Sequence, residues 1–199
     1  MGKGGINVNI ATTAYVSDGG GYYHTGSTAL HIAAERGFTA IGQALITAGA
    51  TRNAKDSSIG YTPLIRAAYY GRRAIVELLL RYNVPIDDKS NGDSTALHQA
   101  MEGGHVEVGR LLVRAGADIN ARDGVGDTPL HDAARCRKLE SVQFLIKEKA
   151  YLSVKSNSGQ TPLCMARTYG CSNIVDLLKS YGVSDKDCEC SSCSGCIIC

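Results

Sequence analysis

Short apolar runs recur along the chain in a fixed relation to a polar phrase. "LLL" from Leu78 and "LLV" from Leu111 each begin sixteen residues after a threonine, Thr62 and Thr95. The threonines sit in copies of one phrase: "GSTALH" from Gly26, "GYTPLI" from Gly60, "STALH" from Ser94, "GDTPLH" from Gly126 and "GQTPLC" from Gly159. Thr28, Thr62, Thr95, Thr128 and Thr161 are 34, 33, 33 and 33 residues apart. A glycine stands nine residues after the threonine in four units, as Gly37, Gly71, Gly104 and Gly170. Each unit therefore predicts helix, turn, helix. Threonine caps the first helix, proline suits its first turn, and the glycine takes the left-handed conformation that ends it. The second helix carries the apolar run, Gly49, Gly116 or Gly182 closes it, and a polar stretch such as "ADINARDGVGD" leads on.

A lone helix pair cannot bury its own apolar face, so neighbouring units must stack into an elongated array. Six residues after the threonines stand Ala34, Ala68, Met101, Ala134 and then Arg167; eighteen after stand Ile46, Leu80, Val113, Ile146 and then Lys179. Only the fifth unit turns basic at both positions, which predicts a water-facing end near Gly182. The first unit has no such polar cap. "INVN" at Ile6 to Asn9 echoes "DIN" at Asp118 to Asn120, which suggests the remnant of an earlier hairpin.

The phrase and its period resemble the ankyrin repeat family, whose unit is 33 residues with a T-P-L-H-x-A signature. The resemblance covers Gly26 to Gly182. It implies an all-α fold: an ankyrin-repeat solenoid of stacked helix-turn-helix units with hairpin-like connecting loops. The expected organisation is a Gly-rich N-terminal segment at 1–25, repeats at 26–183 and a cysteine-rich tail at 184–199. Departures from the pattern are local: Arg137 and Lys149 replace both structural glycines of unit four, and Asn83 replaces one in unit two.

Candidate chemistry is sparse. By resemblance, His31, His98 and His131 are scaffold residues bonded to turn backbone and threonine, and His105 fills another consensus slot; His24 lies in a Gly/Tyr-rich loop. Cys136 with His131 is the one conceivable nucleophile pair, and no third group supports it. The clusters at Gly2–Gly5 and Gly19–Gly21 lack the lysine of a phosphate-binding loop. No enzyme, cofactor or small-molecule substrate is implied. The formal charge of +2 does not suggest nucleic-acid binding.

What remains is surface. By resemblance, hairpin tips and exposed first-helix positions line a concave groove for a protein partner. Those slots hold Tyr61, Arg66, Tyr69 and Tyr70 in unit two, then Gln99 and Glu102, then Asp127, Asp132 and Arg135. Arg72 and Arg73 lie beside the tyrosines, with Tyr22 and Tyr23 upstream. Tyrosine and arginine are the residue types enriched at binding hot spots. The partner-binding candidates are Tyr61, Arg66, Tyr69, Tyr70, Arg72 and Asp132.

The chain ends "CECSSCSGCIIC", five cysteines in twelve residues of eight in the whole sequence. Cys196-Ile197-Ile198-Cys199 resembles the C-a-a-X substrates of protein prenyltransferases, with Cys196 as acceptor. One prenyl chain gives marginal membrane residence, so a second signal is needed. Lys179 and Lys186 against Asp185, Asp187 and Glu189 make no polybasic patch, which leaves Cys193, Cys190 and Cys188 as acylation candidates. The spacing also resembles metallothionein runs, so a soluble metal-binding or redox-responsive protein is the rival reading. Two further readings are an adaptor in protein degradation and a bacterial effector prenylated by its host. Gly2 is present, but Ile6 stands where N-myristoylation wants Ser or Thr. No signal-peptide core or membrane span is visible, which gives an expected location in the cytoplasm, peripheral on a membrane face if lipidated.

Overall fold

A computed structural model of the chain describes residues 7–11 and 25–184. Among them are ten helices in five pairs: α1 (Ala29–Arg36) with α2 (Thr39–Thr47), α3 (Pro63–Tyr69) with α4 (Arg73–Arg81), and α5 (Ala96–Gly103) with α6 (Val106–Arg114). The fourth pair is α7 (Pro129–Arg135) with α8 (Leu139–Lys147), and the fifth α9 (Pro162–Thr168) with α10 (Ser172–Ser180). The first helices of successive pairs pack in one row and the second helices in another. Small residues make the first row close: Ala33, Ala34, Ala67, Ala68, Ala100, Ala133, Ala134 and Ala166 are all buried there. Bulkier side chains fill the second row, including Ile75, Leu79, Leu112, Phe144, Leu145, Ile174 and Leu178.

Each first helix begins at its threonine. Thr62 and Thr161 accept from the N–H groups of Ile65 and Cys164, 3.3 Å each. In the other three units the histidine completes a reciprocal cap, as expected: the hydroxyls of Thr28, Thr95 and Thr128 lie 2.9 Å from Nδ1 of His31, His98 and His131. The same nitrogens accept from the threonine N–H groups at 3.1, 3.2 and 3.0 Å. The proton must then sit on Nε2, which donates to the carbonyl of Tyr61, Asp127 or Gln160 in the next unit, at 2.9, 3.1 and 3.0 Å. Each histidine thus caps its own helix and fastens the next hairpin. A further tie, present at all four interfaces, runs between hairpin tips: Ser57, Asn91, Gly124 and Asn157 donate backbone N–H to the carbonyls of Thr25, Ile59, Gly92 and Val125.

The single 34-residue spacing has a local cause. In three hairpins the closing bond joins residues four apart, Ser90 to Ser94, Asp123 to Asp127 and Ser156 to Gln160; in unit two it joins Asp56 to Tyr61, five apart. The extra residue lies in the tip of the second hairpin. The substituted glycines do not alter the helix ends: Asn83, Arg137 and Lys149 adopt the left-handed conformation themselves, with φ of 52°, 61° and 64°. At the C-terminal end Arg167 and Lys179 are exposed where the preceding units bury or half-bury apolar side chains. At the other end Val8 packs against the core and Asn9 Oδ1 accepts from the N–H of Thr51 at 2.7 Å. Asn120 makes the same bond to Tyr151, at 2.8 Å.

Candidate functional site

The first helices and hairpin tips form the edge on which the sequence placed its partner-binding candidates. Tyr61 stands just before the cap threonine of α3, and Tyr69 and Tyr70 at the end of that helix. All three are half-buried and come together: the rings of Tyr61 and Tyr69 are 6.3 Å apart, and Tyr69 meets Tyr70 edge to face at 5.0 Å. The Tyr61 hydroxyl donates to Gln99 Oε1 of α5 at 2.6 Å, and Gln99 Nε2 in turn donates to Ser94 at 3.0 Å. Burial, reinforced by the carboxylate of Glu102, pushes the Tyr61 phenol well above the ordinary tyrosine range. Arg72 is exposed, and its Nε donates to the backbone carbonyl of Glu35 at 2.8 Å.

Two of the candidates are not open to a partner. Arg66 is 2% exposed, with Nη2 at 2.5 Å from Asp56 Oδ2 and Nη1 at 3.3 Å from Glu35 Oε2. Asp56 also accepts, through Oδ1, from the N–H groups of Ser58, Ile59 and Gly60. Burial pushes that carboxyl upward, but these bonds and Arg66 outweigh it and hold it below the usual range. Arg66 is therefore an internal strut between units one and two. Asp132 is 4% exposed and paired with Arg135 at 2.5 Å. The same slot, four residues after the threonine, is open in unit one, where Ile32 is exposed, and covered in units two and four. Glu35 and Asp56 are the partners that the sequence did not single out.

The remaining chemistry is structural. Both ring nitrogens of His131 are engaged, and Cys136 Sγ faces Glu102 Oε1 at 3.9 Å, so the two do not form a nucleophile pair. Burial pushes the Cys136 thiol up, away from the reactive thiolate. His105 Nε2 donates to the carbonyl of Tyr69 at 3.0 Å. Among the described residues no group of three or more His, Cys, Asp or Glu is arranged to hold a metal, and no helix is long and apolar enough to cross a membrane. His24, Tyr22, Tyr23 and the tail cysteines Cys188, Cys190, Cys193 and Cys196 lie outside the described residues.

Stacked helix pairs with threonine–histidine caps, joined by hydrogen-bonded hairpins, define a repeat scaffold. The family model for ankyrin repeats in three copies matches at residues 6–90, 30–123, 82–156 and 123–191, and the chain belongs to the ankyrin repeat family. It is a protein-interaction module of that family. Among curated proteins it is similar to protein phosphatase 1 regulatory subunit 12A from Mus musculus and from Rattus norvegicus, in each case 43% identical over 78 residues. That stretch is 39% of this chain and 8% of either relative, so the match concerns a small part of those proteins.

Proposed function

We propose that the chain is a non-enzymatic adaptor that captures a protein partner along its first-helix edge, with Tyr61, Tyr69, Tyr70 and Arg72 as the principal contacts. The observation that carries this is the tyrosine cluster: three half-buried rings brought together at the edge, beside an exposed arginine. Rings held in place lose little conformational freedom on binding and offer large contact area. Removing such a side chain typically costs about 2 kcal/mol or more, roughly thirtyfold in affinity. With a partner isolated by pull-down, Tyr70→Ala should weaken binding by about that factor while thermal stability changes little. A loss of stability without loss of affinity would assign the rings to repeat packing instead. The likeness to part of a phosphatase regulatory subunit supports a partner-directing role.

We further propose that the C-terminal cysteines tether this adaptor to a cytosolic membrane face, through a prenyl group on Cys196 and acyl groups among Cys193, Cys190 and Cys188. The support is the "CIIC" sequence and the cysteines before it. The proposal requires Cys199 to carry the free carboxylate. Intact mass spectrometry of the protein from eukaryotic cells tests it, since prenylation with processing, acylation and bound metal each give a distinct mass.

A further inference from the structure

The first unit turns to water a face that the other units bury against a neighbour. Three slots carry this contact. Four residues after the cap threonine, Arg66 Nη1 reaches back to Glu35 Oε2 of the preceding unit at 3.3 Å. Ten residues after it, Arg72 Nε, His105 Nε2 and Cys171 Sγ donate to the preceding unit's carbonyls at Glu35, Tyr69 and Ala134, at 2.8, 3.0 and 3.8 Å. Thirteen residues after it, Ile75, Val108, Ser141 and Ile174 are buried, and Ile75 lies so close to the preceding unit that a Cβ on Gly42 would come within 3.0 Å of its Cδ1. Unit one fills these three slots with Ile32, Phe38 and Ile41, which are 42%, 51% and 52% exposed. Leu45 is half-buried, whereas its counterparts Leu79, Leu112, Leu145 and Leu178 are wholly buried. Residues 7–11 attach to unit one elsewhere, with Ala11 bridged to Thr28 and Asn9 bonded to Thr51, and leave these side chains uncovered.

The face is neutral as well as apolar. Of the ten helices among the described residues, α2 alone carries no Asp, Glu, Lys or Arg, and the two charged residues of α1, Glu35 and Arg36, pair with each other at 3.5 Å. The opposite end of the stack exposes Arg167, Asp176 and Lys179. Stacking one copy's apolar face on another's charged end would take those charges out of water without partners, which is costly. Meeting its own counterpart instead sets apolar side chains against apolar side chains and opposes no like charges. Contact between identical patches also closes after two chains.

We propose that the end face built on Ile32, Phe38, Ile41 and Leu45 is a homodimer interface, which meets the same face of a second copy about a twofold axis. Burial of these side chains drives the association. The face is one helix pair wide, about 13 Å by 20 Å for helices of nine residues side by side, which is small for a stable complex. The dimer is therefore weak, with Kd on the order of 10–100 µM. This inference is independent of the first-helix edge, so Tyr70→Ala should leave the association unchanged.

The test is sedimentation equilibrium of the full chain under reducing conditions, from about 5 to 500 µM. A monomer–dimer equilibrium without larger species is expected, and added salt should not weaken it, since no ion pair is involved. Phe38→Lys/Ile41→Lys, at two exposed positions, should weaken it about a hundredfold or more, leaving a monomer across the range. Lys179→Glu, at the other end of the stack, should have no effect. A second measurement needs no variant: in ¹⁵N spectra of the parent chain, the amides of α2 should shift with concentration and those of α10 should not. A parent that stays monomeric, a dimer that survives the double substitution, or species beyond the dimer would overturn the inference. So would sensitivity to Lys179→Glu or concentration-dependent shifts at α10, either of which would show head-to-tail stacking.

Discussion

The guanidinium of Arg66 and the carboxylate of Asp56 form a 2.5 Å ion pair in which both side chains are almost wholly removed from water. Glu35 of the preceding unit completes the group from the other side at 3.3 Å. The second hairpin, one residue longer than the others, starts at an aspartate that caps the tip with one oxygen and meets Arg66 with the other. Ionic groups this deep are stable only while each has its partner.

Arg66→Ala should therefore destabilise the protein, by about 3–5 kcal/mol, because it leaves Asp56 and Glu35 facing each other without a cation. Thermal or urea unfolding of the variant measures this directly. An unchanged midpoint would mean that water reaches the two carboxylates, and Arg66 would return to the list of surface contacts.

The repeat scaffold was legible in the sequence, and the exposure of its edge was not. The threonine phrase reports a bond that every unit makes locally, cap threonine to the third residue of its own helix, so its period survives any change of surroundings. Burial at the fourth position after the threonine depends on neighbours. Ile32 is open, Arg66 is closed over by Glu35 and Asp56, and Asp132 is drawn in by Arg135. A charged residue in that slot looks like a groove contact until its counter-ions, ten and thirty-one residues away for Arg66, are placed beside it. The tyrosine cluster was readable for the opposite reason. Its members come from the two ends of a single short helix, which fixes their proximity.

Arg137 and Lys149 occupy the left-handed region, where a side chain costs about 1–2 kcal/mol relative to glycine, and both are exposed. Arg137→Gly and Lys149→Gly should each raise stability, by about 0.5–1 kcal/mol once glycine's greater freedom in the unfolded chain is subtracted. Chemical denaturation with an unchanged slope would register the gain as a shift in midpoint. A loss of stability in both would show that the long side chains make contacts worth more than the backbone strain.

The membrane proposal separates by substitution. Cys196→Ser, or one residue added after Cys199, should move the protein from the membrane to the soluble fraction of eukaryotic cells, because prenylation needs that thiol and the free terminal tripeptide. Replacing Cys188, Cys190 and Cys193 together should instead leave weak, reversible association. Membrane association that survives the added residue would exclude the prenyl group and leave acylation, metal or redox chemistry to explain the cysteines.

The scaffold histidines and the buried carboxyls of Asp127 and Asp132 should oppose one another as pH changes. Burial, with the field of Arg66 at His31 and of Arg122 at His131, holds the imidazoles of His31 and His131 down to about 4, against an ordinary 6.5, and burial lowers His98 as well. Below pH 6.5 the unfolded chain takes up protons that these native histidines refuse, so their contribution is complete above 6.5 and is lost as pH falls towards 4. Burial raises Asp132 to about 7 and Asp127 to about 6, from 3.8. There the native state holds protons that the unfolded chain has released, so stability rises as pH falls through 7 and 6 towards 3.8. Near pH 5 the two carboxyls offset about two histidine protons. Neutralising them in Asp127→Asn/Asp132→Asn removes the offset and should steepen the acid-side decline by about 2.7 kcal/mol per pH unit relative to the parent, while the two proteins run parallel above pH 8. Unfolding free energies measured from pH 4.5 to 8 at fixed ionic strength give both slopes. Parallel profiles across the whole range would mean that Asp127 and Asp132 titrate as ordinary carboxylates, and that the two side chains are better hydrated than their burial indicates.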